Sequence, residues 1–521
     1  MLSMSGLQAN RTGFDNQKLF SDKTVSTAQT VNHYGHFSSD LSLKLKNLID
    51  SGSIKKLAIL TWRDLEAPDA GGSELHMHQV AQRLALAGME VVVRTSKVKG
   101  KLSQVKRAGY IVNRKSGRYL SFPRSIAAGF ARKFSSYDAL IEIWNGMPFL
   151  SPLWFKKPKV VLLHHVHGIH YWKNVFPGGL AHLGALFEEK VAPLIYKNTH
   201  VVVPSQSTAE EVLYRLNWPE DKLSVAYPGV EAHFRPGVKK SEIPLVVAVG
   251  RLVASKQFSL GIEIIAKLKN LVGNLDFVII GEGPEKSKLQ DQINKMGIGH
   301  WCKLVGKVSL EELIKYYQEA WVVVSFSLKE GWGMTLTEAA ACRTPSVASK
   351  IPGHQDAVIP GLSGFLANGE TEFICYLKDI LLDFNLRERL SSGALLHANN
   401  LSWDSTAYSI LSALLNSAEG RVIKGGIERR CSVRYPTRVQ IIADGMKGCM
   451  LNVSAKGALV KLFNDSSEIQ PGQVIKMCAN LKDFNLELNA VVVRRAFEVG
   501  LNCLGVRFCE ANDPFIFLQL G

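Results

Sequence analysis

A short apolar run, followed at once by a glycine turn and a helix-forming segment, restricts the fold of this 521-residue chain more than any other feature. Residues 321–325 (WVVVS) are apolar without alternation, which is typical of a strand buried on both faces. After a Gly-x-Gly turn, residues 334–342 (MTLTEAAAC) favour a helix. At such a turn glycines let the backbone approach a ligand, and the helix N-terminus offers free N–H groups to an anion. The pattern predicts an α/β fold with a phosphate site.

Two carboxylates, Glu330 and Glu338, flank this turn. Both are acceptor-only groups when ionised. Beside a phosphate site they suit a ligand with hydroxyls on both sides of its phosphates, as in a nucleotide sugar. The alternative is an acidic surface turn followed by a core helix.

A second phosphate signal lies about 80 residues earlier in the chain. The apolar run 245–250 (LVVAVG) is followed by Arg251 and Lys256. A guanidinium fork and an ammonium point charge together neutralise a diphosphate without a metal ion. The chain has no Asp-x-Asp pair and no His/Cys spacing for a metal ion, so we expect metal-independent chemistry. Ordinary loop solvation is the alternative for both basic residues.

The amino-terminal half repeats the arrangement. Residues 57–62 (LAILTW) predict a strand, Gly71 and Gly72 form a turn, and residues 75–86 predict a helix. Asn145 follows the predicted strand 139–143, which places a polar group at the rim of a sheet.

Three histidines follow the apolar run 160–163. Strand alternation predicts that His165 and His167 point to one side and His164 to the other. A metal site there would need a further ligand. A buried structural histidine remains open for either His165 or His167.

Net charge is +16, and residues 94–133 hold twelve Lys or Arg and no acidic residue. Within them, apolar residues recur every fourth position beside three cations (Phe122, Ile126, Phe130 and Phe134, with Arg124, Arg132 and Lys133). Either a helix lies on an anionic membrane surface, or the helix packs this stripe on its own sheet and its charges face water. Nucleic-acid binding is disfavoured because no base-stacking or groove-reading motif accompanies the charge.

Residues 1–52 are polar and rich in Ser, Asn and Gln, so we expect a poorly ordered leader. No run reaches the roughly 18 apolar residues of a membrane span, and no basic-then-apolar leader opens the chain. Eight scattered Cys without CxxC spacing fit a reducing cytoplasm. We therefore expect a cytoplasmic protein, with a peripheral position at the inner face of the plasma membrane left open.

The pattern changes near residue 419, where residues 419–426 (EGRVIKGG) read as a linker. Short β-type runs separated by turn residues then predict a small antiparallel barrel (439–443, 459–463, 473–477, 486–493 and 504–508). Before and within it stand two motifs, Arg430-x-x-x-Arg434 and Asn452-x-Ser454-x-x-Gly457. Arginines fork onto phosphate and onto the acceptor edge of guanine, and Asn452 and Ser454 share one strand face. The alternative is a basic arm leading an unrelated barrel.

The donor-side motifs resemble those of a family-4, retaining, GT-B glycosyltransferase over roughly residues 54–418. They are 250–252 with Lys256, 281–285 (GEGPE), 305–308 (VGKV) and Glu330-x7-Glu338. The resemblance implies two Rossmann-like domains, with Glu330 near the donor sugar and Glu338 on the ribose hydroxyls. It also implies that Arg251 and Lys256 clamp the diphosphate, that Val308 lies near the base, and that Gly71 and Gly72 approach the phosphates and the acceptor. A histidine contacts the donor sugar or acceptor, for which we favour His167.

Residues 427–521 resemble the cyclic di-GMP-binding PilZ domain, and residues 504–508 (LGVRF) match its closing strand.

The predicted organisation is a leader (1–52), an acceptor-side domain (53–238), a donor-side domain (239–420) and a PilZ-like barrel (427–521). The predicted catalytic residues are Glu330, His167, Arg251 and Lys256. Substrate-binding residues are Gly71, Gly72, Asn145, Val308, Gly331, Trp332, Gly333, Met334 and Glu338. Cyclic di-GMP is expected at Arg430, Arg434, Asn452, Ser454 and Gly457.

The expected activity is retaining transfer from a UDP- or GDP-sugar to a glycan or lipid-linked acceptor in bacterial surface polysaccharide synthesis, regulated by cyclic di-GMP. The rivals are a non-catalytic cyclic di-GMP effector and a GT-B nucleotide-sugar epimerase, which the Glu-x7-Glu turn disfavours. The sequence leaves open the donor sugar and base, the acceptor, the linkage, the sense of regulation and the oligomeric state.

Overall fold

The computed structural model describes residues 36–169 and 179–418. It also describes residues 435–508 except 445, 455–456, 463–468, 471, 481–484 and 499–500. These residues form two α/β domains and a β-barrel.

The first domain is built on an eight-stranded sheet in the order β3-β4-β2-β1-β5-β6-β7-β8. Its strands are Lys56–Leu60, Glu90–Thr95, Gln104–Arg107, Tyr110–Arg114, Ala139–Trp144, Lys159–Leu163, His200–Val203 and Leu223–Val225. All pair in parallel except the antiparallel hairpin β3-β4. Its helices α1–α7 are His36–Ser51, Gly72–Leu86, Ser121–Phe130, Ser151–Trp154, Gly179–Leu186, Ala192–Tyr196 and Gln206–Leu216, with a π-helical turn at Phe187–Val191 between α5 and α6.

The second domain has a six-stranded parallel sheet in the order β11-β10-β9-β12-β13-β14. Strands β9–β14 are Leu245–Val249, Asp276–Ile280, Cys302–Gly306, Val322–Ser325, Ser346–Ser349 and Gly364–Ala367. Helices α8–α15 are Phe258–Val272, Lys286–Lys295, Leu310–Glu319, Met334–Ala341, His354–Ala357, Glu370–Leu382, Phe384–Asn399 and Trp403–Ala418. The strand order reverses between β9 and β12 here, and between β1 and β5 in the first sheet. Ligands of open α/β sheets bind at such reversals, beyond the carboxyl ends of the strands.

The final helix α15 returns to the first domain. Ile410 and Leu414 of α15 share a buried cluster with Leu45 and Ile49 of α1 and Val80 of α2. The predicted boundary at residue 420 is therefore wrong for α15, which packs with the first domain. The predicted leader is also wrong for residues 36–51, because the apolar spacing in α1 lets Leu45 and Ile49 bury against α15.

The basic stretch resolves into strands, loops and the short helix α3. Phe122 packs against Phe149 at a ring-centroid distance of 4.8 Å, and Phe134 is buried against Trp154. Phe130 ends the helix and is 61% exposed. The left-handed φ of Arg132 (+56°) breaks the helical spacing, so the predicted four-residue stripe divides between core and solvent.

The carboxy-terminal strands close into a six-stranded antiparallel barrel in the order β15-β16-β17-β20-β19-β18. They are Tyr435–Ala443, Met446–Ser454, Gly457–Leu462, Val474–Asn480, Asn485–Glu498 and Leu501–Phe508. Asn452 and Ser454 lie two positions apart on β16, and Ser454 pairs with Gly457. Arg430 and Arg434 lie outside the described residues. Among the described helices, none is both long and apolar enough to cross a membrane.

Candidate active site

Backbone hydrogen bonds join three predicted motifs, residues 250–252, 281–285 and 305–308, at the carboxyl edge of the second sheet. Gly250 N–H donates to Ile280 O at 3.0 Å, Leu252 N–H to Glu282 O at 2.9 Å, and Gly281 N–H to Gly306 O at 2.8 Å. Gly281 has a φ of +150°, and a Cβ there would lie 1.8 Å from Gly250 O. Glycine is therefore required for these loops to reach each other.

Arg251 and Lys256 follow β9, and Glu330 follows the neighbouring strand β12. Lys256 Nζ donates to Glu330 Oε1, and Ser327 Oγ donates to the same oxygen at 2.9 Å. Burial is the largest single effect and raises the pKa of Glu330, but the Lys256 ammonium, His354 and the two hydrogen bonds together lower the pKa below its ordinary value. Glu330 is thus an ionised carboxylate whose charge is balanced by Lys256.

Glu338 lies on α11, in its second turn, and remains partly exposed. Burial raises its pKa to about 7, although a hydrogen bond from Tyr317 Oη at 3.1 Å opposes this shift. Near neutral pH, Glu338 is therefore balanced between the neutral acid and the carboxylate. Before it, Gly333 takes a left-handed conformation (φ +114°) at the N-cap of α11.

The Gly71-Gly72 turn faces these groups from the first domain. A Cβ at Gly72 would lie 3.2 Å from Met334 Sδ, and one at Gly71 would lie 3.7 Å from Arg251 Nε. Arg251 is exposed. The predicted glycine turn and the predicted diphosphate residues therefore line one cleft between the domains.

The histidines follow β6 in the first domain, and the His164 carbonyl lies against Gly331 of the second domain. The rings of His165 and His167 lie 4.3 Å apart, whereas His164 packs edge-on against His76. The predicted alternation is thus observed. His165 is the more exposed of the pair, and the pKa of its imidazole falls well below its usual range through burial, with further lowering by charges that include Lys329 and Lys256.

His167 is held by a buried carboxylate. Glu188 Oε1 accepts the His167 backbone N–H at 3.0 Å and lies 3.1 Å from its Nδ1, while Glu188 Oε2 accepts Gly168 N–H at 3.1 Å. This pairing fixes the orientation of the ring, as carboxylate–imidazole pairs do elsewhere.

Other predicted residues fall at or below the cleft surface. Asn145 Nδ2 donates to Ser73 Oγ at 3.0 Å, beside the glycine turn. Trp332 is 4% exposed and its Nε1 donates to Thr337 Oγ1 at 3.3 Å, which leaves its backbone as the part available to a ligand. Val308 is partly buried beside the loop of β11, and Gly331 abuts His164, whose carbonyl oxygen would lie 2.1 Å from a Cβ there.

Hydrogen bonds and an ion pair join the two domains next to the site, and we call these contacts the domain latch. Asp356 on α12 accepts the backbone N–H groups of Gln206 (3.2 Å) and Ser207 (3.0 Å) at the start of α7. Gly353 N–H donates to Ser207 Oγ at 2.7 Å, and Lys329 pairs with Glu211 at 2.9 Å. The residues on both sides of Glu330 thus reach the first domain.

Sequence reasoning missed His354, Tyr317, Ser327, Asp356 and Glu188. Only His354 and Asp356 had a usable signal, since Pro352-Gly353 marks a turn soon after residues 346–349, which form β13 at the same sheet edge. Within the described residues, no group of three or more His, Cys, Asp or Glu is placed to hold a metal ion.

Comparisons with known proteins agree with the two-domain fold. Residues 70–234 match the family model described as Glycosyltransferase Family 4, and residues 230–396 match that described as Glycosyl transferases group 1. D-inositol 3-phosphate glycosyltransferase of Paenarthrobacter aurescens is 26% identical over 395 residues, which cover 68% of this chain and 96% of that protein. The protein of the same name from Corynebacterium glutamicum is 26% identical over 391 residues, covering 67% and 92%.

Solved structures share the fold. Sucrose-phosphate synthase of Thermosynechococcus elongatus superposes with a TM-score of 0.58 at 20% identity, covering 68% of this chain and 97% of that one. HepE of Anabaena, solved with UDP and glucose, gives a TM-score of 0.55 at 16% identity, covering 69% and 99%. WaaG, a glycosyltransferase involved in lipopolysaccharide biosynthesis, gives 0.56 at 15% identity, covering 69% and 99%.

Proposed function

We propose that this chain, a GT-B glycosyltransferase of the family-4 type that uses a nucleotide sugar, retains the anomeric configuration of its UDP- or GDP-linked donor. The observation that carries the proposal is the meeting of Lys256 and Glu330 at the reversal point of the second sheet. A cation for the diphosphate and a carboxylate for the sugar stand side by side there, beneath the Gly71-Gly72 turn.

In the proposed reaction, Arg251 and Lys256 hold the donor diphosphate and stabilise the charge that develops on it as it leaves. The N–H groups at Gly333 and Met334, at the start of α11, add to this stabilisation. Glu338 accepts hydrogen bonds from the ribose hydroxyls, and Val308 borders the base. No metal ion takes part in this scheme.

The acceptor hydroxyl approaches the anomeric carbon on the face from which the diphosphate departs. The bond from carbon to phosphate oxygen breaks with its electron pair on that oxygen, the acceptor oxygen forms the new glycosidic bond, and the phosphate oxygen takes the acceptor proton. Glu330 orients the donor sugar through its hydroxyls, and His167, held by Glu188, contacts the sugar or the acceptor.

We further propose that the barrel binds cyclic di-GMP and regulates transfer. The support is a closed antiparallel barrel in which Asn452 and Ser454 lie two positions apart on β16, with the Arg430-x-x-x-Arg434 motif before it in the sequence. Leu362 of the second domain shares a buried cluster with interior barrel residues, among them Val460. Leu362 lies in the loop that follows α12, the helix that carries His354 and Asp356. A change in the barrel would therefore reach both Glu330 and the domain latch, provided that the ligand binds one arrangement better.

The proposed acceptor is a glycan or a lipid-linked sugar of a bacterial surface polysaccharide, reached from a cytoplasmic, membrane-peripheral position. The support is the excess of basic residues in the first domain and the solvent-facing Phe130. Anionic lipid attracts such basic segments.

Release of nucleotide from a panel of UDP- and GDP-sugars, with and without cyclic di-GMP, tests these proposals together. We expect one donor to be hydrolysed or transferred, at a rate that cyclic di-GMP changes. Binding of cyclic di-GMP without turnover of any donor would instead favour a non-catalytic effector.

A further inference from the structure

The continuous helical run from α5 through the π-helical turn to α6 presents an apolar and basic face to solvent. Leu183 is 62% exposed, Leu186 54% and Leu194 72%. Lys190 and Lys197 are also exposed. Spacings of three and four residues place all five on one side of the run. The opposite side is buried, through Ala181, Ala185, Glu188, Ala192 and Tyr196. We call the five exposed residues the outer face.

We propose that the outer face docks the enzyme onto an anionic lipid surface. Exposed leucines and lysines on one side of a helix suit the boundary between headgroups and acyl chains, where leucine inserts and lysine meets lipid phosphate. The acidic residues of the run do not oppose this, because Glu188 is buried and Glu189 pairs with Arg215.

The neighbouring helices extend the same surface. Helix α4 contacts both α6 and α3, on the side of the sheet opposite α2 and α15. Leu153 on α4 is 46% exposed, and Phe130 at the end of α3 is 61% exposed. Lys156 and Lys157 follow α4, and both are exposed. The apolar and basic pattern therefore spreads across three helices.

A second copy of this chain fits the outer face less well. In a two-fold contact the same patch meets itself, so Lys190 and Lys197 would approach their own copies and repel. A bilayer rich in anionic lipid supplies the opposite charge and an apolar layer together. An anionic bilayer is therefore the better partner for the outer face.

The outer face is also connected to the cleft. The inner side of the same run carries Glu188, whose two carboxylate oxygens accept the backbone N–H groups of His167 and Gly168. A helix resting on the bilayer thus holds the histidine that borders the acceptor. This connection rests on the proposed lipid-linked acceptor, whereas the docking itself does not.

The test measures binding of the full chain to phosphatidylcholine vesicles with and without phosphatidylglycerol. Two double variants probe the surface: Leu183→Ser with Leu194→Ser, and Lys190→Glu with Lys197→Glu. Matched controls change exposed residues of the second domain, Leu271→Ser with Leu382→Ser, and Lys288→Glu with Lys295→Glu. We expect wild type and controls to bind anionic vesicles, and each outer-face variant to lose roughly tenfold or more in affinity.

Circular dichroism melts confirm folding, and sedimentation equilibrium without vesicles reports the oligomeric state. Outer-face variants that bind vesicles like wild type would overturn the proposal. So would variants that dissociate an oligomer while their vesicle binding is unchanged. Donor hydrolysis in solution should be unaffected in the outer-face variants. If wild type lacks that hydrolysis but binds vesicles through this face, the proposed function fails and the docking surface stands.

Discussion

Lys256 donates a hydrogen bond to Glu330 although 74 residues separate them in the chain. They meet because β9 and β12 are neighbours in the second sheet, and each residue lies just beyond the carboxyl end of its strand. Burial raises the pKa of Glu330, but the Lys256 ammonium, His354 and two hydrogen bonds together keep it below its ordinary value of 4.5. A donor diphosphate that binds at this edge would therefore have to share Lys256 with Glu330 or displace Glu330 from it.

Removing the Lys256 charge should lower turnover. Lys256→Ala removes a charge-assisted contact worth about 1.5–3 kcal/mol, which corresponds to roughly 10- to 100-fold in kcat. The pKa of Glu330 should also rise, so that the pH–rate profile gains an acidic limb that wild type lacks. Lys288→Ala, at a side chain that is 72% exposed, is the matched control. Wild-type turnover and an unchanged pH profile in Lys256→Ala would show that Lys256 has no role in the donor site.

Donor affinity should depend on pH through Glu338. Its pKa is raised to about 7, so the carboxylate that accepts ribose hydroxyls forms as the pH rises from 6 to 8. Calorimetric titration with the nucleotide diphosphate should therefore show tighter binding at pH 8 than at pH 6. Glu338→Gln should bind weakly and lose this dependence. Tyr317→Phe removes the hydrogen bond that lowers the pKa, and should shift the midpoint upward.

Glu338 also makes the free energy of unfolding depend on pH: a rise in pH should strengthen donor binding but lower the stability of the fold. Because the folded pKa is raised, Glu338 contributes most to the free energy of unfolding below its unfolded pKa of 4.5, and this contribution is lost as the pH rises through about 7. Glu338→Gln should therefore flatten the fall in stability between these values. An identical pH dependence in wild type and variant, for both binding and unfolding, would contradict the assignment.

Gly281→Ala should disrupt the loops at the carboxyl edge of the second sheet, which we call the donor edge. A Cβ there would lie 1.8 Å from Gly250 O at a φ of +150°. Backbone strain of this kind costs about 1–3 kcal/mol before the clash is counted, so the melting temperature should fall by several degrees and donor binding should weaken. Gly369→Ala is the control, because its backbone is extended and nothing lies within 4 Å of its Cβ. Equal melting temperatures for the two variants would show that the loops adjust freely.

Cyclic di-GMP should bind the intact chain through the two arginines before the barrel. Each guanidinium forks onto phosphate, so Arg430→Ala or Arg434→Ala should abolish the heat of binding in calorimetry and leave basal transfer unchanged. Arg389→Ala, in the second domain, is the control. Absence of binding heat in wild type would contradict the proposal that the barrel binds cyclic di-GMP. Binding without any change in rate or localisation would contradict the proposal that this ligand regulates the enzyme.

Most of the donor edge could be predicted from the sequence, because each element carries a local signal. Glycine turns after apolar runs mark the carboxyl ends of strands, and parallel strands bring these ends together whatever their distance in the chain. This reasoning placed Arg251, Lys256, Glu330 and Glu338 at one edge of the second sheet, whereas the approach of Gly71 and Gly72 to the same ligand was implied only by the family resemblance. The paired orientation of His165 and His167 also followed, from alternation alone.

The partners of these residues could not be predicted in the same way. Tyr317 reaches Glu338 from a different helix, and Glu188 reaches His167 from a π-helical turn, so each contact depends on packing between elements. Helix α1 was missed because its polar surroundings concealed Leu45 and Ile49. The stripe from Phe122 to Phe134 failed as one face because a left-handed residue, Arg132, interrupts the helical period.

Proton NMR of the product formed from an α-linked nucleotide sugar tests the central claim most directly. The donor is the one found by nucleotide release, and the reaction is run with wild type and with Glu330→Gln as the control for the site. We predict an α-anomeric product, identified by its one-bond C1–H1 coupling, which distinguishes the anomers of both gluco- and manno-configured sugars, at a rate that falls at least roughly tenfold in Glu330→Gln. A β-anomeric product, or transfer that does not depend on Glu330, would contradict the account.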